Sequence, residues 1–360
     1  MYFKSPLGLS FLSLLDGGEI YCPGTRKAWS PKILKEPLFF KLLSYFRDSR
    51  TKEEAVEFIN EYNKTISLEE IDKILDYLIN KGLIIKSSEK EIDTKKRWCA
   101  HNWDDSLIYH WHTNLYPKYD YWLDPRDEFD TDLMRLYVES EKRPSNYKSY
   151  EEVKSTQLTN NPLALASSVP QAFELKQSND KSKNIITFEE FSRLCFLAFG
   201  ETGSKNIKVT GRFITKTIPS GGARHPTEIY PVVLEDIEGV EPGLYHYNVQ
   251  SHKLEQILLG NLTSLCRDHI LLPPDRIWFQ PKVIFLYTCI FDRSMFRYRE
   301  SRSYRVMHYD LGHIMQNLRF LANSLGRHLY GGYSLHDSEI EKILNIDGIL
   351  ESIMGYSALA

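Results

Sequence analysis

The sequence predicts an α+β fold in its C-terminal half, preceded by a smaller helical N-terminal region. Three observations carry that expectation. "EIYPVVL" and "VIFLYTCIF" are short apolar runs, rich in β-branched and aromatic residues, that suit buried strands. "ITFEEFSRLCFLAFGETG" and "YDLGHIMQNLRFLANSLG" repeat apolar residues at helical spacing and stop at glycine. Upstream, two capping-box signatures, Thr51…Glu54 and Ser67…Glu70, open apolar-periodic segments between positions 37 and 86.

In the last of these segments Leu68, Ile71, Ile74, Leu75, Leu78 and Ile79 keep one face, and Gly82 stands where a C-terminal cap belongs. "LII" at 83–85 then reads as the first strand of a wing. Helix, helix, helix, wing is a winged-helix outline, assigned to residues 1–92. Its last helix, "SLEEIDKILDYLINKG", is more acidic than basic, so peptide binding suits it better than DNA binding. A helical domain that only packs is the alternative.

The chain of 360 residues is long enough for two domains, and 42% hydrophobic with 26% charged residues is an ordinary globular balance. Its 45 basic and 48 acidic residues nearly cancel, to a formal charge of -3. A dedicated nucleic-acid binder needs a basic surplus, which is missing. The cysteines at 22, 99, 195, 266 and 289 are odd in number and hold no CxxC pair, which fits idle thiols in a reducing compartment. The N-terminus lacks a long apolar run with a cleavage site, and no stretch reaches the roughly 18 apolar residues of a membrane span. A cytoplasmic protein without membrane contact is expected.

Residues 93–165 form an aromatic-rich connecting region. His110 and His112 flank Trp111, so on a strand they would share one face, with Cys99 and His101 nearby. Aromatic packing or substrate contact explains them better than a metal, for want of an HxxE or CxxC partner. "DPRDEFDTD" reads as a solvated loop. From 166 to 360 the pattern is regular. Leu311, Ile314, Met315, Leu318, Leu321 and Leu325 line one side of a helix ended by Gly326, and "SLHDSEIEKILNI" is one more short helix.

Chemistry points to "IPSGGARHPTEIYPVVL", residues 218–234. Gly221 and Gly222 lack a Cβ, so a flat ring or a phosphate could approach their backbone closely. Pro219 and Pro226 stiffen the two ends, and Arg212, Lys216 and Arg224 place positive charge around the turn. A plain structural turn is the competing reading of these residues alone.

The segments that follow narrow the choice. "PSGGARHPTEIYPVV" precedes "EPGLYHYNVQSHKLEQI", then "FRYRESRSYRVMHYDLGHIMQNLRFLANSLG", "GGYSLHDSEIEKIL" and "ESIMGYSALA". That succession resembles the SagB-type dehydrogenases of the nitroreductase superfamily, FMN enzymes best known as azoline oxidases of thiazole/oxazole-modified peptides. The resemblance covers 166–360, and more loosely the N-terminal region, since such enzymes often carry a winged-helix peptide-binding element. It implies a nitroreductase-like FMN fold in a domain-entwined homodimer, with two FMN sites across the subunit interface. Pro219, Ser220, Gly221 and Gly222 would then line the flavin, and Gly331 and Gly332 in "YGGYSL" would make a second glycine turn near it. His225 and Glu228 would stand at the site, just behind it, or in the core.

Two departures from the family pattern matter. The usual Arg-Arg-Ser-x-Arg grip on the FMN phosphate has "LKQSND" as its nearest match, with Lys176 and Ser178 retained but Asp180 in place of an arginine. An acid beside a phosphate is repulsive, so Lys216 and Arg212 become the alternative phosphate holders. The Lys-Tyr pair that azoline oxidases place near the substrate becomes Arg297-Tyr298 in "MFRYRESRSYR". Arginine stays protonated, so it can stabilise negative charge or hold a carboxylate, and Tyr298 becomes the candidate base. A surface ion pair with Glu300 is the other use for Arg297. In the helix that follows, Asp310 replaces the usual glutamate ahead of "GH", Gly312 permits close helix packing, and His313 and Asn317 are expected to buttress rather than react.

The function so implied is FMN-dependent oxidation of azolines, or a related amide substrate, to azoles. Hydride passes to flavin N5, and oxygen is the final acceptor. The substrate is a precursor peptide of a ribosomal natural-product pathway, with a cyclodehydratase complex as candidate partner and no metal. A flavin-poor scaffold subunit of a heterocycle synthetase is the alternative from a different class. A generic nitroreductase leaves the long N-terminal extension without a purpose.

Overall fold

The structure is a computed structural model. It describes residues 2–4, 10–14, 17–22, 27–29, 37–46, 49–64, 66–86, 97–98, 100–113, 127–159, 185–273, 276–299 and 301–360. The chain forms two compact units, Met1–Tyr121 and Trp122–Ala360.

In the first unit, β1 (Tyr2–Lys4) is followed by an antiparallel sheet of β2 (Ser10–Leu14), β3 (Gly17–Cys22) and β4 (Lys27–Trp29). Then come α1 (Pro37–Tyr45), β5 (Arg50–Thr51), α2 (Lys52–Tyr62), α3 (Leu68–Asn80), β6 (Ile85–Lys86) and α4 (Asp104–His112). Both capping boxes form: Thr51 and Glu54 satisfy each other's orphan groups at the start of α2, as Ser67 and Glu70 do for α3. Helix α3 ends in a Schellman motif. Gly82 sits at φ +71 and donates to Ile79 O, while Leu83 donates to Leu78 O.

Phe39, Leu42, Ala55, Ile59, Ile71, Leu75 and Leu78 close a small core. Leu68, expected on that apolar face, is instead 63% exposed, because it is the first residue of its helix and lies beyond the core's edge. Of the strand expected at 83–85 only Ile85 is extended, in β6, and β1 pairs with both β6 and β5. So the short sheet takes its central strand from upstream of the helices. His110 and His112, expected on a strand, lie on α4. Among the described residues no three metal-ligating side chains gather.

The second unit begins with α5 (Asp127–Ser140), which contains the "DEFDTD" expected as a loop. Then follow β7 (Ser155–Gln157), α6 (Phe188–Phe199), the hairpin β8 (Glu201–Ile207) and β9 (Gly211–Lys216), β10 (Thr227–Val233), β11 (Gly243–Asn248) and β12 (Lys253–Leu259). The remainder is α7 (Thr263–His269), β13 (Val283–Ile290), α8 (Asp292–Met295), α9 (Tyr304–Ser324), β14 (Leu329–Gly332), α10 (Asp337–Leu344) and β15 (Glu351–Leu359). A seven-stranded sheet runs in the order β14-β15-β13-β10-β11-β12-β7, with every pairing antiparallel. The α+β expectation is met, but strand β7 belongs to this sheet. The 93–165 region therefore supplies part of this unit instead of only connecting to it.

The sheet is buried on both faces, and its side chains alternate between two cores. Ile229, Val233, Phe285 and Tyr287 join α6 and α9 on one face; Tyr230, Val232, Ile284 and Leu286 join residues of α7 and α10 on the other. Of the expected face of α9, Leu311, Ile314, Leu318 and Leu321 are buried there, with Met315 and Leu325 packed at its margin. Pro231 in mid-strand costs no ladder bond. Leu234 N–H reaches Lys282 O and Pro226 O accepts from Ile290 N–H, so even-numbered residues of β10 face β13 and Pro231 points away. On that side β11 pairs only with Val232 and Val233. Among the described residues no helix is long and apolar enough to cross a membrane.

Candidate functional site

Strand β9 runs into a tight turn, residues 217–226, that opens β10. Gly221–Ala223 form a single 3-10 turn. Gly222, Ala223 and His225 all hold positive φ, at +59, +52 and +45. For the two non-glycines that is strain of about 1–3 kcal/mol each, sustained only because the surroundings over-determine the shape. Those surroundings are explicit. Asp310 of α9 accepts from Ser220 Oγ at 2.5 Å and from Gly221 N–H at 3.0 Å. His225 N–H donates to Ser220 Oγ at 2.9 Å, and Arg224 Nε donates to Gly222 O at 2.8 Å. Burial pushes the Asp310 carboxyl up, against the pull of its two donors.

Arg293 of α8 clamps the far side. It is 5% exposed, donates to Ser145 O and His225 O, and pairs with Glu228 at 2.5 Å. Glu228 also meets His246 Nε2 at 3.0 Å, and His246 Nδ1 meets Glu255 at 2.9 Å. This buried chain of charges bridges β10 and β11 where their backbones do not pair. Burial would raise Glu228, but the Arg293 cation and the His246 hydrogen bond outweigh it and bring the carboxyl down to about 2. Burial and the Lys216 cation hold His225 down to about 3, so its ring is neutral and takes no part in proton exchange near neutral pH.

A pH dependence follows. Both groups titrate lower in the fold than in the open chain, where their values are 6.5 for His225 and 4.5 for Glu228. Their stabilisation is full above those values and drains away as pH falls towards 3 and 2. The urea midpoint is expected to drop steeply below about pH 6. His225→Asn, which tolerates positive φ, should flatten the slope between pH 6 and 4. An unchanged slope refutes the assignment to His225.

The structure brings Tyr298 to the turn. A Cβ on Gly222 would lie 2.0 Å from Tyr298 Oη, and one on Gly221 would lie 2.2 Å from Val306 Cγ1. The bare backbone expected to admit a flat ring therefore admits the chain's own Tyr298 and Val306. Pro219 and Gly222 remain exposed on the outer side of the turn. Gly331 and Gly332 are not a turn: they lie in edge strand β14, where a Cβ would meet Met315 Cε and the Tyr356 ring, each at 2.5 Å. Arg212 is exposed and paired with Glu201 at 3.0 Å, so it does not serve the turn. Arg297 stacks on its neighbour, its guanidinium carbon 5.2 Å from the Tyr298 ring centroid. Lys176, Ser178, Asp180 and Glu300 lie outside the described residues.

No protein-family model matches the chain. A search of curated proteins finds the trifolitoxin-processing protein TfxB of Rhizobium leguminosarum bv. trifolii, 33% identical over 351 residues, which span 91% of this chain and 88% of that protein. The chain belongs to the SagB-type branch of the nitroreductase superfamily. The microcin B17-processing protein McbC of Escherichia coli is 29% identical over 170 residues, covering 46% of this chain and 58% of McbC. Among solved structures, a nitroreductase-like protein from Anabaena variabilis superposes with a TM-score of 0.52 at 21% identity, over 70% of this chain and 45% of that one, and shows the fold alone.

A flavin's pyrimidine edge offers acceptors and calls for hydrogen-bond donors. Thr217 Oγ1 is buried with no partner among the described residues. Neighbouring Lys216 has no hydrogen bond or ion pair there either, and burial, opposed by Glu228, brings its amine down to about 8. These donors fit the group. Asp310, Arg293 and Thr217 are residues around the turn that sequence reasoning missed or underrated. Only Asp310, standing in for a glutamate, carried a signal.

Proposed function

We propose that this SagB-type protein is an FMN-dependent dehydrogenase. It oxidises azolines, or a closely related amide substrate, to azoles in a ribosomally made peptide, with oxygen as final acceptor. One observation carries the reading: Tyr298 Oη stands at the glycine turn of a chain related over nearly its whole length to a peptide-processing protein. FMN, when bound, takes up a hydride at N5. Lys216, Thr217 and the exposed backbone of Pro219 and Gly222 are the groups that would hold it.

The protein's own residues do the rest. Tyr298 takes the Cα proton of the ring while the adjacent Cβ gives up a hydride, so a Cα–Cβ double bond forms and the substrate loses one proton and one hydride. The Arg297 guanidinium, stacked on the Tyr298 ring, places positive charge beside the phenolate oxygen that accepts this proton. Arg293 and Asp310 fix the two sides of the turn against which Tyr298 is set. The helices α1–α3 with the β5-β1-β6 sheet would serve as a winged-helix leader-binding element, raising the local concentration of the ring to be oxidised. A cyclodehydratase complex that forms the azolines is the expected partner.

The test is direct. Purified protein should show flavin absorbance, and an azoline-bearing peptide should lose the mass of two hydrogens per ring. The glycine positions filled by Tyr298 and Val306 favour a second reading, a scaffold subunit. Colourless protein that FMN cannot reconstitute would establish it.

The homodimer is proposed through α9, whose Tyr309 is 63% exposed. The close packing expected at Gly312 is not met within one chain, since a Cβ there touches nothing within 4 Å. In a lone chain Gly312→Ala should therefore stabilise α9 by about 0.5–1 kcal/mol. In a dimer packed at this face it should instead lower the association constant. Sedimentation with thermal unfolding decides, and raised stability with unaltered association removes α9 from the interface.

A further inference from the structure

Behind the turn, on the side of Arg224, lies a small solvent-open hollow lined by Arg143, Arg224 and Arg293 with Asn146 and Phe296. Three guanidinium groups at one opening repel each other unless something negative balances them. Arg293 is balanced by Glu228. The other two are not. Arg143 is fixed by Thr210 O and by Asn146 Oδ1 at 2.9 Å, and Arg224 by Gly222 O at 2.8 Å. Each guanidinium carbon also lies 4.2 Å from the Phe213 ring centroid. Neither meets a carboxylate among the described residues, and the terminal nitrogens of Arg224 have no acceptor there.

Both cations are thus immobilised by neutral groups, with donors to spare. Side-chain entropy has already been lost, which is the state of a prepared oxyanion receptor. Burial, opposed by Tyr298 and reinforced by Arg143 and Arg297, draws Arg224 down to about 10, a cost that an incoming anion would relieve. The location is equally informative. Gly222, whose carbonyl holds Arg224, is the residue against which Tyr298 Oη stands.

We propose that Arg143 and Arg224 form a carboxylate-binding subsite beside Tyr298, which selects substrate peptides carrying an acidic side chain or the chain's terminal carboxylate near the residue to be oxidised. This deepens the peptide-oxidation reading and rests on it. The carboxylate would bridge the two guanidinium groups and set the register of the peptide against the turn.

The experiment uses the full chain with ¹⁵N-labelled arginine and follows the Nε–H resonances of Arg143 and Arg224. The probes are the tetrapeptide acetyl-Gly-Glu-Ser-Gly-amide, its Gln counterpart, and inorganic phosphate. The Glu peptide should shift both resonances saturably, with affinity at least tenfold above the Gln peptide. Arg143→Gln and Arg224→Gln should each remove that preference while bound flavin is retained. Equal response to the Glu and Gln peptides in the unaltered protein overturns the subsite without recourse to any variant. Saturation by phosphate together with loss of flavin in Arg224→Gln also overturns it, assigning the pocket to the cofactor's phosphate. Because no turnover is read, Glu selectivity in colourless protein upholds the subsite while the redox reading alone fails.

Discussion

Arg293→Gln is expected to destabilise the second unit by about 3–5 kcal/mol, the usual consequence of removing one partner of a buried ion pair. Glu228, 3% exposed, would keep its charge with only His246 and the Lys216 cation to balance it, and the His225 and Ser145 carbonyls would each lose a donor. The size of the effect comes from the stranded carboxylate more than from the attraction lost. The double variant Arg293→Met with Glu228→Gln should therefore recover a large part of the stability. Urea unfolding of the single and double variants checks both statements. A single variant within 1 kcal/mol of the parent would show that the pair is solvated, contrary to its burial.

Tyr298→Phe is expected to lower turnover by about 10²–10⁴-fold, the range for removing a positioned general base, while flavin absorbance and folding stay intact. The ring keeps its packing against Gly222 and beneath Arg297, so only the hydroxyl is lost. Peptide mass spectrometry under single-turnover conditions reads the result. Turnover within threefold of the parent would take Tyr298 out of the reaction and leave it as a wall of the turn.

Much of this architecture was legible before any coordinate. Helices α2, α3, α6 and α9 announce themselves by 3.6-residue spacing with capping residues, and β10 and β13 by unbroken apolar runs. Local signals of that kind need only neighbours in sequence. The misses share a different cause. Whether "DEFDTD" is helix or loop depends on the residues after it, and Leu68 looks interior because periodicity ignores where a helix begins relative to its core. Gly221 and Gly222 are places of close approach, as read, but sequence does not say what approaches, and at Gly312 nothing among the described residues does. Tyr298 comes from 76 positions downstream of Gly222, and Asp310 from 90 beyond Ser220. Arg293 was invisible because an arginine in a one-turn helix carries no local mark of burial. Its importance exists only once Glu228, His225 and Ser145 surround it.

Helix α9 offers Val306 to Gly221 and, one turn on, Asp310 to Ser220 and Gly221. The backbone at Ser220 and Gly221 copies the position of this rod, while Arg293 holds the far side at His225. A displacement of the rod by a single residue's rise, about 1.5 Å, would exceed what either Asp310 contact tolerates. Any load that moves α9 along its axis therefore moves Ser220 and Gly221 with it.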